Sequence, residues 1–160
     1  MLKALRMDSD TMTDRRSYER VLAGFGAGEI DILIGTQMIA KGLDHANTLL
    51  VGVICADSAL FLPDYRATER TFQLLAQVVG RTGRGPRGGR VVVQAYNPRH
   101  FSIVAGMAQD HASFSAQELP TREEAGFPPY GRLLRVITQS KDALAARNRL
   151  DKIVEHLTAP

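Results

Sequence analysis

Three short stretches of aliphatic and β-branched residues are separated by segments with helical spacing in the first hundred residues. Arg90–Ala95 is a run of β-branched residues, and the stretches Ile30–Ile34 and Leu49–Ala56 show no alternation of apolar and polar positions. This pattern is typical of strands that are covered on both faces in a parallel sheet. Residues 15–23 and 66–79 carry apolar side chains at helical intervals. Alternating strands and helices predict an α/β unit with a parallel sheet.

The character of the sequence changes near Pro120. Residues 98–117 predict a helix in which the isolated Gly106 is the weak point. The following segment contains three prolines and two glycines, which predicts a linker or an extended arm. Beyond it, a strand and a helix are predicted, and this pair is too small to bury a core of its own. We therefore expect a fragment of a longer protein, cut at both ends, with three parts: a first domain at 1–118, a linker at 119–132 and the beginning of a second domain at 133–160.

Composition excludes several classes of protein. Hydrophobic residues make up 44% and charged residues 23% of the chain, as in soluble globular proteins rather than disordered ones. No apolar run approaches the ~18 residues that a membrane span needs, so no membrane association is expected. The single cysteine, Cys55, excludes an internal disulfide and a cysteine-based zinc site. The four histidines are scattered without partners at ligand spacing, so no metal site is expected. Since the chain has a single cysteine, it is predicted to be cytoplasmic.

The most informative motif is Gln77-Val-Val-Gly-Arg81-Thr-Gly83-Arg84, at the end of a predicted helix. Two arginines on a glycine-spaced turn present two guanidinium groups to one anion, and such groups bind phosphate oxygens bidentately. In nucleoside triphosphate hydrolysis they offset charge that develops on the transferred phosphoryl group. The alternative is a plain helix terminus, with Gly83 as the terminator and the arginines complementing the helix dipole.

A second motif follows the predicted strand that ends near Gly35. Thr36 can cap a turn there and expose backbone N–H groups to an anion at the carboxyl end of a strand. The motif continues through Gln37 and Lys41. The alternative is an ordinary connection from strand to helix, with Lys41 in solvent.

In this order and about 40 residues apart, the two motifs resemble motifs V and VI of the superfamily 2 helicases. Further residues narrow the resemblance to the primosomal replication restart helicases, namely Asp57, the segment Asp64-Tyr-Arg66-Ala-Thr-Glu69-Arg70 and Pro128-Pro129-Tyr130. The likeness extends from about Arg6 to about Arg135. The chain departs from the family in having no Gly-x-x-x-x-Gly-Lys-Ser/Thr phosphate loop and no Asp-Glu-x-His box.

The resemblance implies an incomplete RecA-like second motor lobe of the P-loop NTPase type, followed by the start of a small α/β C-terminal DNA-binding domain. Arg84 corresponds to the arginine finger, and Arg81 to the residue that contacts the γ-phosphate. Three further residues are expected to face ATP: Gln77, Gly42 and Asp44. Four are expected to face DNA: Thr36, Gln37, Lys41 and Arg66.

The same resemblance implies ligands and partners. ATP with Mg²⁺ would be held mainly by a first helicase lobe that this chain lacks, so the chain is not expected to hydrolyse ATP alone. Zinc belongs to the family but not to this chain. The implied partners are single-stranded and forked DNA, the first lobe, and primosome and single-strand-binding proteins. Two alternatives stay open: another superfamily 2 DNA translocase, or a catalytically inactive module that binds nucleic acid or a helicase.

Overall fold

The computed structural model describes residues 1–8, 15–36, 39, 48–82 and 88–158. Two compact units are present, Met1–Thr121 and Arg122–Pro160. Within the described ranges no helix has both the length and the apolar character that a membrane span requires.

The strands of the first unit pair in parallel. Strands β1 (Ala4–Met7) and β2 (Ile32–Gly35) are linked through helix α1 (Arg15–Gly26), and their last residues, Met7 and Gly35, lie opposite each other. Strands β3 (Leu50–Val53) and β4 (Arg90–Val93) form the other parallel pair. The described residues thus contain two sheets of two strands each. Parallel strands with intervening helices confirm the predicted α/β class.

Helix α2 (Ala67–Arg81) is the centre of the first unit. A 3-10 turn (Ser58–Phe61) precedes it, and helices α3 (Phe101–Ala108) and α4 (His111–Glu124) follow β4. One buried cluster joins Leu75 of α2 to Ala56 and Ile103, and a second joins Phe72 to Ala105 and Phe114. The rings of Phe72 and Phe114 stack with their centroids 4.3 Å apart. Both clusters include one residue of α2 and one of α3, so these two helices are packed against each other at Phe72 and Leu75.

The strands are not covered on both faces, which corrects the expectation from their composition. Val51 and Val53 are half-buried, whereas Leu50 is 61% exposed and Val92 is 52% exposed. The burial of β3 and β4 alternates because Val53 and Val93 pack against the core that contains Leu75, while the opposite face has no such covering among the described residues.

Gly106 is a packing position rather than a weak point. A Cβ at Gly106 would lie 3.0 Å from the Leu75 Cβ and 3.1 Å from the Phe72 carbonyl oxygen, so the glycine allows α3 to approach α2 closely. The helical stretch is instead broken at Gln109, whose φ of 54° is left-handed. The N–H of Asp110 donates to the Ala105 carbonyl oxygen at 2.9 Å, which closes the end of α3.

The segment predicted as a linker begins as a helix. Helix α4 continues through Pro120 to Glu124, although a proline inside a helix removes one backbone hydrogen bond. The turn before Pro120 is held by tertiary contact, since the buried Glu118 carboxylate accepts a hydrogen bond from the Thr68 hydroxyl at 2.7 Å. Tertiary packing therefore outweighs the local effect of the proline.

In the second unit, the predicted terminal helix is present as α5 (Ala143–Thr158). The strand predicted at 133–139 is absent, because no strand among the described residues pairs with this segment. A β-strand needs a neighbour for its backbone hydrogen bonds, and an apolar sequence alone does not supply one.

Candidate functional site

The C-terminal end of α2 carries two of the predicted ATP-facing residues. Gln77 and Arg81 are four positions apart, so they share one face of the helix, and both are half-buried. Leu75 and Val78 fix the same part of the helix from the core side. The structure therefore brings Gln77 and Arg81 together on the last turn of a well-anchored helix.

Thr82 ends this helix. Its backbone is extended (φ −85°, ψ 136°), its N–H is shared between the carbonyl oxygens of Val78 and Val79, and its hydroxyl donates to the Val78 carbonyl oxygen at 2.7 Å. Because these carbonyl groups already accept hydrogen bonds, the helix end does not need a glycine in the left-handed conformation to satisfy them. Gly83 and Arg84 lie outside the described residues, so the predicted finger stays a prediction.

The opposite end of α2 carries Arg66, which the resemblance places towards DNA. Arg66 is the N-cap residue, and its N–H donates to Asp64 Oδ1 at 2.9 Å. Its guanidinium carbon lies 5.3 Å from the centroid of the Tyr65 ring. Helix α2 has 15 residues, so its ends are about 22 Å apart. Arg66 is therefore not near Gln77 and Arg81.

Asp64 organises the two exposed arginines at this end. Its Oδ2 lies 2.8 Å from Arg70 Nη1, and its Oδ1 lies 3.7 Å from Arg66 Nε. The backbone N–H of Arg66 is the largest cause of a lowered pKa for Asp64, with smaller effects in the same direction from the charges of Arg70 and Arg66. The carboxylate is thus ionised at neutral pH and orients both guanidinium groups.

Thr36 lies at the carboxyl end of β2. A Cβ at the preceding Gly35 would overlap the carbonyl oxygen of Met7, so glycine is required for β1 and β2 to end side by side. Thr36 is exposed, and its carbonyl oxygen accepts the Ile39 N–H at 3.0 Å. Four other predicted site residues lie outside the described part of the chain: Gln37, Lys41, Gly42 and Asp44.

A buried polar cluster was not predicted from the sequence. Asp57 is 1% exposed, and its Oδ2 accepts the Asn97 N–H at 2.8 Å, which ties the turn after β3 to the loop after β4. Burial lowers the pKa of His100, against the opposing influence of the Glu118 and Asp57 charges. No regular spacing in the sequence links these residues, because they come from three separate segments, around Asp57, at 97–100 and at Glu118.

The described residues offer no metal centre. Within these ranges no three histidine, cysteine, aspartate or glutamate side chains come together in a group that could hold a metal ion. Cys55, expected in a buried strand, instead lies half-buried in the turn after β3 with a φ of 50°. Its N–H donates to Gln94 Oε1 at 2.8 Å, which holds that turn in place.

Comparison with known proteins adds independent information. The family model of the helicase conserved C-terminal domain matches residues 1–86. The replication restart protein PriA of Bacillus subtilis is 44% identical over 157 residues, which cover 98% of this chain and 20% of that protein. The PriA of Synechocystis is 50% identical over 133 residues, covering 83% of this chain and 16% of that protein. The PriA of Thermotoga maritima is 37% identical over 152 residues, covering 95% of this chain and 20% of that protein.

The chain therefore spans about a fifth of the length of these relatives. The similarity confirms the resemblance that was predicted from the motifs around Thr36, Arg66 and Arg81.

Proposed function

Because this chain belongs to the helicase conserved C-terminal domain family, we propose that it forms the second motor lobe of an ATP-dependent DNA helicase acting in replication restart. The observation that carries the proposal is the family match over residues 1–86, which includes both motifs, together with relatives named replication restart proteins. The parallel α/β architecture of the first unit supports it.

The C-terminal end of α2 contributes to ATP turnover. Gln77 and Arg81 offer amide and guanidinium N–H donors on one helix face, a donor set that suits a polyphosphate. Since the 160 residues contain no phosphate loop, ATP and Mg²⁺ are bound mainly by a first lobe, and Arg81 and Arg84 approach the phosphates from this side. Their fixed charges offset the charge that develops during phosphoryl transfer. Gly42 and Asp44 line the same cleft.

DNA is contacted at a different place. Thr36, Gln37 and Lys41 follow β2, and Arg66 lies at the start of α2, about 22 Å along the helix axis from Arg81. Helix α2 is held by the clusters around Leu75 and Phe72, so it moves as a rigid rod. When the two lobes close on ATP, both ends of α2 therefore move together. The movement of the DNA-facing end shifts the bound DNA strand relative to the protein.

Further parts of the proposal rest on the resemblance of the motifs to those of the restart helicases. The DNA is single-stranded and forked, and the partners are the first lobe and the primosome and single-strand-binding proteins. Zinc is bound elsewhere in the complete protein. A cytoplasmic location stays a prediction.

A chimera tests the proposal. This chain replaces the matching segment of the Bacillus subtilis relative, to which it is 44% identical, and DNA-stimulated ATPase and unwinding are measured. We expect both activities, and we expect Arg81→Ala to lower ATP turnover, while Gln73→Ala on the exposed side of α2 leaves it unchanged. A folded chimera that lacks both activities, or one in which Arg81→Ala has no effect, would contradict the proposal.

A further inference from the structure

Gln109 ends α3 in a backbone conformation that residues with side chains adopt infrequently. Its φ of 54° and ψ of 29° are left-handed, and helix termini usually carry glycine at such a position because a Cβ is crowded there. Its N–H donates to the Gly106 carbonyl oxygen at 3.2 Å. Because glycine performs this backbone task with less strain, the glutamine suggests a role for the side chain.

The amide of Gln109 reaches across to helix α2. Its Nε2 donates to the Ala76 carbonyl oxygen at 3.0 Å, a contact between residues 33 positions apart. A Cβ at Gly80 would lie 2.6 Å from the same nitrogen, so the amide lies directly against the backbone at Gly80. A glycine inside a helix weakens it, and here it makes room for the amide.

The position of Gln109 relative to α2 is fixed by the packing of α3. Gly106 allows α3 to pack closely against Leu75 and Phe72 of α2. This packing fixes the position of Gln109 along the axis of α2. Its amide spans the turn from Ala76 to Gly80. That turn contains Gln77 and is followed immediately by Arg81.

We propose that Gln109 is a positioning residue, which holds the last turn of α2, and with it Gln77 and Arg81, in the orientation used for ATP turnover. The inference rests on the proposed role of Arg81 in ATP hydrolysis. In this proposal Gln109 acts through the position of α2 and not through contact with nucleotide or DNA. Its action passes through the Ala76 carbonyl group and the backbone at Gly80.

The first experiment measures the last turn of α2 in the 160-residue chain. Gln109→Gly removes the amide and relieves the left-handed strain, so the melting temperature should stay the same or rise. In amide hydrogen exchange, peptides covering residues 76–82 should nevertheless exchange faster, by about threefold or more, while peptides covering 67–73 stay unchanged. Gln109→Glu keeps the length of the side chain but cannot donate to the Ala76 carbonyl group, and should give the same faster exchange at residues 76–82.

The second experiment measures turnover in the chimera with the Bacillus subtilis relative. Both Gln109 variants should lower kcat about tenfold, since small displacements of catalytic groups are costly, with the KM for ATP changed less than about twofold. Gln117→Glu is the matched control, because the Gln117 amide donates within its own helix, α4, to the Ser113 carbonyl oxygen at 3.3 Å. It should change neither exchange nor kcat.

Unchanged exchange at residues 76–82 overturns the positioning role, whatever happens to turnover. Faster exchange with an unchanged kcat overturns the link to ATP hydrolysis. In that case Arg81→Ala separates two causes: if it lowers kcat, only the role of Gln109 is wrong, and if it does not, the proposed function of Arg81 is wrong as well. Faster exchange and a lower kcat in both variants, with a melting temperature of Gln109→Gly that is unchanged or higher, together support the proposal.

Discussion

Leu75 should contribute more to the stability of the first unit than any exposed leucine. Its side chain is fully buried and packs with Ala56 and Ile103, against which Val53 and Val93 also lie. Leu75→Ala removes three carbons, worth about 2.4 kcal/mol at about 0.8 kcal/mol each. The cavity adds to this loss, so we expect about 3 kcal/mol, within the range of about 2–5 kcal/mol typical of buried leucines.

A loss of this size is large for a domain of ordinary stability. It increases the ratio of unfolded to folded molecules more than ~100-fold and lowers the melting temperature by about 10 °C. Urea unfolding followed by far-ultraviolet circular dichroism measures the free energy of unfolding directly.

Leu62→Ala is the matched control, since Leu62 belongs to the same unit and is 59% exposed. It should cost less than about 0.5 kcal/mol. A cost below about 1 kcal/mol for Leu75→Ala, or equal costs for the two variants, would refute the claim that α2 is anchored through Leu75.

Three further results are expected. Burial lowers the pKa of His100, so the unfolded chain binds the proton more readily, and stability should fall as the pH drops below about 6.5. Urea unfolding at pH 7.5 and 5.5 measures this loss of stability. His100→Asn keeps an acceptor at the N-cap of α3 and should reduce the loss. An equal loss in the variant would contradict the assignment to His100. The purified 160-residue chain should show no DNA-stimulated ATPase, because it has no phosphate loop; turnover that disappears in Arg84→Ala would disprove the need for another lobe. Its binding to single-stranded DNA should be weak and strongly salt-dependent, as measured by fluorescence anisotropy at two salt concentrations, whereas tight binding that ignores salt would indicate a module that reads bases.

Much of the first unit was predictable from local patterns. The apolar spacing over 66–79 predicts α2, which the structure has at Ala67–Arg81, and the stretch beginning at Arg90 predicts β4. Helix α2 follows from the regular spacing of its apolar positions, and β4 from a run of β-branched residues. The motif around Gln77 and Arg81 was also visible, since it is contiguous in the sequence.

Features that depend on distant partners were not predictable. Gly106 looks like a helix breaker in isolation, yet it allows α3 to contact Leu75. Pro120 suggests a linker, but the bond between Thr68 and Glu118 holds the preceding turn in α4. The contact of Gln109 with Ala76 joins residues 33 positions apart, and no local sequence pattern predicts it.

The arginine pair provides the most direct test of the central claim. In the chimera with the Bacillus subtilis relative, Arg84→Ala should lower the turnover of ATP by about 10³-fold or more while the Kd for ATP changes only a few-fold, because an arginine finger acts on charge that develops in the transition state. Arg84→Lys should not restore turnover, since a point charge does not replace the planar guanidinium fork. If Arg84→Ala instead unfolds the chimera while the folded fraction turns over ATP normally, the arginines are structural residues of a helix terminus and the account is wrong.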